Sequence, residues 1–151
     1  MKPAELVAAG PRAAGREQRY AELIDDIVEG ARLHYQLDAG HPDPDLALLE
    51  GDERYARGLA KLAELGDLEA TAELADIISL VAQARSSGDD ALAGAVWEAG
   101  AVAVGWGTSE ALEAAKTAAR AGMPEAAREL RAAAAERRRE GGPGNGAVSR
   151  D

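Results

Sequence analysis

Apolar residues recur along this chain at spacings of three and four, the period of a helix with one buried face. Residues 67–86 show the pattern well. Leu74, Ile78 and Val81, joined by Ile77 and Ala82, make a stripe, while Glu69, Glu73 and Asp76 lie largely elsewhere. Within 13–35, at about 100° per residue, Ile24, Ile27, Val28 and Ala31 share one face and Glu22, Asp25, Asp26 and Glu29 the opposite one. The same reading predicts a short helix over 3–9 and further helices over 45–65, 89–104, 109–121 and 124–139.

Gly, Pro and Asp punctuate these segments. Gly10-Pro11 stops the first helix, and Gly40-His41-Pro42-Asp43-Pro44-Asp45 cannot be helical throughout, because each Pro restricts the residue before it. Gly66 ends one helix and Asp67 caps the next by accepting from its free N–H groups. Ser87-Gly88-Asp89 and Gly107-Thr108-Ser109-Glu110 repeat the device, and Gly122-Met123-Pro124-Glu125 places Pro at a helix start. The run Gly141-Gly142-Pro143-Gly144-Asn145-Gly146 has nothing to bury. The expected organisation is an N-terminal segment over 1–12, a helical domain over 13–139 and a disordered tail over 140–151. The expected fold is all-α, a bundle of antiparallel neighbouring helices joined by short loops.

Composition sharpens this picture. With no Phe, two Trp and three Tyr, the core must be built from Leu, Ile, Val and many Ala. Small side chains bury little surface each, at about 25 cal/mol per Å², which points towards oligomerisation of so small a domain. The absence of cysteine excludes disulfides, thiolate zinc sites and cysteine nucleophiles. Seventeen basic against 27 acidic residues, a net charge of -10, argue against a nucleic-acid partner. No apolar run approaches the roughly 20 residues of a membrane span, and Met1-Lys2-Pro3-Ala4-Glu5 lacks the apolar core of a signal peptide. The expected location is cytoplasmic.

The candidate chemistry is acidic. Asp25 and Glu29 are four apart, so their carboxylates stand one turn above the other, with Asp26 alongside. Such oxygens suit a hard cation, Mg²⁺ above all, which keeps waters and substrate phosphates in its shell. An acidic face opposite an apolar stripe is also what a solvated amphipathic helix presents, and spacing leaves both readings open. His34 and His41 flank a Pro/Asp loop with Asp38 and Asp43; the alternatives are a metal site and a solvated loop, and the second is preferred because no helical spacing fixes the ligands. Trp97 and Trp106 sit in the most apolar stretch and read as core or subunit-interface packing. Arg137-Arg138-Arg139 complements the dipole at the end of the last helix. Thr108 and Ser109 have no His-based activation nearby, so nucleophilic catalysis lacks support.

Asp25-Asp26-Ile27-Val28-Glu29 has acids at its first, second and fifth positions, as does the first aspartate-rich motif of trans-prenyl diphosphate synthases. Leu49-Glu50-Gly51-Asp52 is similar to the leucine-x-glycine-aspartate step that follows in that family. Tyr55-Ala56-Arg57-Gly58-Leu59-Ala60-Lys61-Leu62, Leu65-Gly66-Asp67 and Leu80-Val81-Ala82-Gln83 continue the likeness, so residues 20–105 resemble the family in order. The resemblance implies part of the isoprenoid synthase fold. It further implies Mg²⁺ on Asp25, Asp26 and Glu29, an allylic diphosphate as ligand, and Arg32 as a contact to it.

Departures qualify the resemblance. His34 and Tyr35 stand where paired arginines belong, and neither replaces a permanent diphosphate clamp. Asp89-Asp90-Ala91-Leu92-Ala93 lacks the final acid of a second aspartate-rich motif and reads as a helix cap. Gly15-Arg16-Glu17 is no counterpart of the upstream Gly-Lys-Arg loop. The implied function is a non-catalytic small or regulatory subunit of a hetero-oligomeric synthase. It would pack on a full-length prenyl diphosphate synthase and influence product chain length. The alternatives are a Mg²⁺-dependent prenyltransferase active as a self-oligomer, or a helical interaction protein without isoprenoid chemistry.

Overall fold

The computed structural model describes residues 1–37 and 41–141. Among these are seven α-helices and no strand: α1 (Pro3–Ala9), α2 (Glu17–His34), α3 (Pro44–Leu65), α4 (Leu68–Ser86), α5 (Asp90–Trp106), α6 (Glu110–Arg120) and α7 (Ala126–Arg139). The protein is all-α, as the periodicity requires. Asp38 and the expected tail beyond Gly141 lie outside the described residues.

Boundaries follow local chemistry. Helix α2 starts at Glu17 rather than 13, because Pro11–Ala13 form a 3₁₀ turn and Gly15 takes a left-handed φ of 83°. Asp43 accepts from the N–H groups of Asp45 and Leu46, so Pro44 can occupy the first turn of α3, where its missing N–H is harmless. The Asp67, Asp89 and Ser109 caps are all made, to the N–H groups of Ala70, Leu92 and Leu112. Pro124 falls in the turn ahead of α7 instead of inside it.

Helix α5 is the central element. Leu92, Ala93, Ala95, Val96 and every residue from 99 to 106 are buried, and α1, α4, α6 and α7 all pack on it. Hairpins α2–α3 and α4–α5 run antiparallel, as the pairs Gly30–Gly51 and Ile27–Gly58, then Arg85–Asp90 and Ile77–Gly100, indicate. Helix α1 belongs to the core, with Leu6 and Val7 buried. Its end meets α5 at Gly10 and Gly105, where two backbones touch with no side chain between them.

One polar node ties distant parts together. Asp67 accepts from the Ala70 N–H (3.0 Å), Arg12 Nη2 (2.8 Å) and the hydroxyl of fully buried Tyr20 (2.7 Å). Arg12 Nη1 reaches the Val104 carbonyl at 2.8 Å. At the far end, Arg137 donates to the carbonyls of Trp106 (2.7 Å), Gly107 (3.0 Å) and Gly141 (2.6 Å), satisfying acceptors at the ends of α5 and α7. Arg138 lies over the Trp106 ring, 5.3 Å from its centroid.

Contact between α2 and α3 depends on glycine. A Cβ at Gly51 would stand 2.9 Å from both the Gly30 carbonyl oxygen and the His34 nitrogen. Propensity alone makes Gly→Ala in a helix favourable by about 1 kcal/mol. We expect Gly51→Ala to reverse that sign and destabilise the protein by about 1–3 kcal/mol through overpacking. Urea unfolding checks it.

Candidate functional site: two carboxylate networks

Helix α2 separates the three acids of the first motif. Asp26 is buried beneath α3, with Arg54 Nη1 3.1 Å from one oxygen and Lys61 Nζ 2.7 Å from the other. Burial alone would raise its pKa, but hydrogen bonds and charge from Lys61 and Arg54 prevail and hold it below the ordinary aspartate value. Asp25 is exposed. Glu29 takes both Nε and Nη2 of Arg32, the first at 2.8 Å, and that pairing keeps its carboxyl below the usual range. The side chains implied as metal ligands and as diphosphate contact are thus engaged with protein groups or stand apart. They do not fit a shared cation. Asp26 departs from the solvated face expected of it because that side of α2 is what α3 covers.

The histidines are placed by packing. His34 meets Tyr35 and Tyr55 edge-on, at centroid distances of 4.8 and 6.2 Å, and its Nδ1 is 3.5 Å from Asp52. His41 stands 3.2 Å from Glu50, and its Nδ1 accepts from the Asp43 N–H. Burial pushes the Tyr55 phenol up to about 12, so it stays neutral at physiological pH.

A second network joins α4 to α6. Lys116 Nζ donates to Glu73 (2.7 Å) and Asp76 (2.8 Å) and lies 2.9 Å from Glu113; Arg120 also reaches Asp76, at 3.0 Å. Thr108 donates to Glu113 at 2.7 Å. Glu73, Asp76 and Glu113 each place an oxygen within 4.8 Å of the others, a spacing that can hold a metal ion. The Lys116 ammonium already sits among them, so a metal must displace it. Beneath lies a cavity of about 10 Å³, lined by Glu73, Lys116 and apolar residues including Ile77 and Leu130. It is room for one water at most.

Burial would lower the Lys116 ammonium, but the three carboxylates outweigh it and hold it well above the ordinary lysine range. Burial pushes Glu73 up despite Lys116, because it shares that ammonium with two other acids. A lysine so held is neither a free base nor a nucleophile, and the network's evident chemistry is mutual neutralisation.

The periodicity placed Glu73 off the core face, whereas it is buried. The signal was on α6: Leu112, Ala115, Lys116 and Ala119 form one stripe at helical spacing, and a lysine there needs a buried acid opposite. Compared with known protein families, curated proteins and solved structures, the chain matches none.

Removing the ammonium while keeping its stem, as in Lys116→Met, takes from buried Glu73 the cation that compensates it. We expect a loss of about 3–5 kcal/mol by urea unfolding, recovered in part by Glu73→Gln in the same chain. Asp26, Glu29 and Asp67 have folded-state pKa values below their unfolded ones. Their stabilisation is present above about pH 4 and is lost as pH falls through the folded values. Glu73, shifted the other way, opposes this by favouring the folded state when protonated. A urea series from pH 7 to pH 2 should therefore show net acid destabilisation, reduced in Asp26→Asn.

Proposed function

We propose that this chain is a non-catalytic helical subunit that works by packing on another protein. One observation carries the reading: the acids and the arginine that would handle Mg²⁺ and diphosphate are committed within the fold or stand alone. Asp26 is held by Arg54 and Lys61, Glu29 by Arg32, and Asp25 faces outward. Scarcity of large core side chains and leucines left on the surface support the same reading. The resemblance to trans-prenyl diphosphate synthases supplies the partner, a full-length synthase whose product length the subunit would influence. No helix among the described residues is long and apolar enough to cross a membrane.

Co-expression with a full-length synthase from the same cell should yield a stable complex with altered product length. A helical interaction protein without isoprenoid chemistry would leave the synthase unbound and its products unchanged. Titration calorimetry of the chain alone with Mg²⁺ and an allylic diphosphate should give no heat of binding. Saturable heat, abolished by Asp25→Ala with Glu29→Ala, would instead establish the Mg²⁺-dependent prenyltransferase reading.

A further inference from the structure

Helix α3 packs on α2 with one side only. Its buried residues are Ala47, Gly51, Gly58 and Leu62. The opposite side carries Leu46, Leu49, Glu53, Ala56, Ala60 and Ala63, all exposed, with Leu49 at 67% and Leu46 at 45%. Their alternating spacing of three and four is that of a coiled-coil seam, on a face left exposed among the described residues.

We propose that this seam pairs antiparallel with the same seam of a second copy of the chain. The leucines occupy its first half and the alanines its second. Antiparallel pairing sets Leu46 against the partner's Ala63 and Leu49 against the partner's Ala60, so large side chains meet small ones in every outer layer. Parallel pairing would crowd leucine on leucine at one end and leave alanine facing alanine, a gap, at the other.

Charge points to the same occupant. Glu50 and Arg57 flank one side of the seam. The antiparallel register brings each Arg57 opposite the partner's Glu50, twice by symmetry, and beside the partner's Glu53. Arg57 is 2.9 Å from its own Glu53 with both side chains largely exposed, so the pair can exchange partners across the interface. Glu53, the one polar group in the seam, then faces the partner's Ala56 near the axis. There it helps fix the register, because a one-heptad slip sets it against the partner's Leu49 in one direction and carries both leucines past the end of the partner's helix in the other. This surface needs no synthase, so the outcome of co-expression neither supports nor removes it.

The chain contains no cysteine, so introduced thiols report cleanly. In the antiparallel pair, Leu49 and the partner's Leu49 are 11 residues apart along the axis, about 16 Å, beyond disulfide reach. A mixture of L49C and A60C chains should therefore oxidise to a covalent heterodimer, while L49C alone should not cross-link. The unsubstituted chain should sediment as a dimer. L49K combined with A56K should sediment as a monomer with unchanged helical circular dichroism, since both positions are exposed in the single chain. A monomeric unsubstituted chain, a persisting dimer of L49K/A56K, or efficient self-cross-linking of L49C would each overturn the proposal.

Discussion

The ion pair between Arg12 and Asp67 is the constraint on which the rest of the assembly depends. Asp67 caps α4 and also takes Arg12 and Tyr20, while Arg12 satisfies the Val104 carbonyl near the end of α5. Four pieces of chain therefore share one node: the 3₁₀ turn, α2, the α3–α4 corner and α5. Burial penalises the Asp67 carboxylate, but Arg12, Tyr20 and the Ala70 N–H overcome that penalty and leave its pKa low. A partly buried polar network of this kind is stabilising only when every member is satisfied. It orients the helices more strictly than alanine and leucine packing could alone.

Around that node the molecule is assembled by close approach. A chain without Phe fills its interior by bringing backbones together, at Gly30 with Gly51 and at Gly10 with Gly105. Close contact recovers dispersion that small side chains lack. It also restricts substitution, because a methyl group at such a position meets backbone that cannot yield. The glycine of the Leu49-Glu50-Gly51-Asp52 step thus has a packing role here that needs no bound ligand.

Much of the architecture was legible in sequence because it depends on local signals. Asp67, Asp89 and Ser109 announced helix starts and Gly66 a helix end, while the apolar stretch holding Trp97 and Trp106 announced packing but not that its helix is the central one. Tertiary partnering was not legible. Asp26 looked solvent-facing on its own helix, and only α3, arriving with Arg54 and Lys61, makes it an interior ion-pair member. Glu73 was misplaced for the same reason, since its partner lies 43 residues downstream. Arg12 offered no signal, as its partners Asp67, Glu69 and the Val104 carbonyl all come from remote segments. Helical periodicity records how a segment meets apolar surroundings, and it is silent about which opposite charge waits across an interface.

The place of α5 in chain order has a consequence for biosynthesis. Helix α1 leaves the ribosome before α5, yet part of the surface it buries against lies near Gly105. Arg12 likewise finds the Val104 carbonyl 92 residues later. Until that stretch has emerged, Leu6 and Val7 lack part of their shelter and Asp67 lacks a settled counter-charge. At about 5–20 residues per second, several seconds separate Arg12 from its Val104 acceptor, and of the two hairpins α2–α3 alone can form before α5 emerges. The contacts between α1 and α5 close only when that helix arrives.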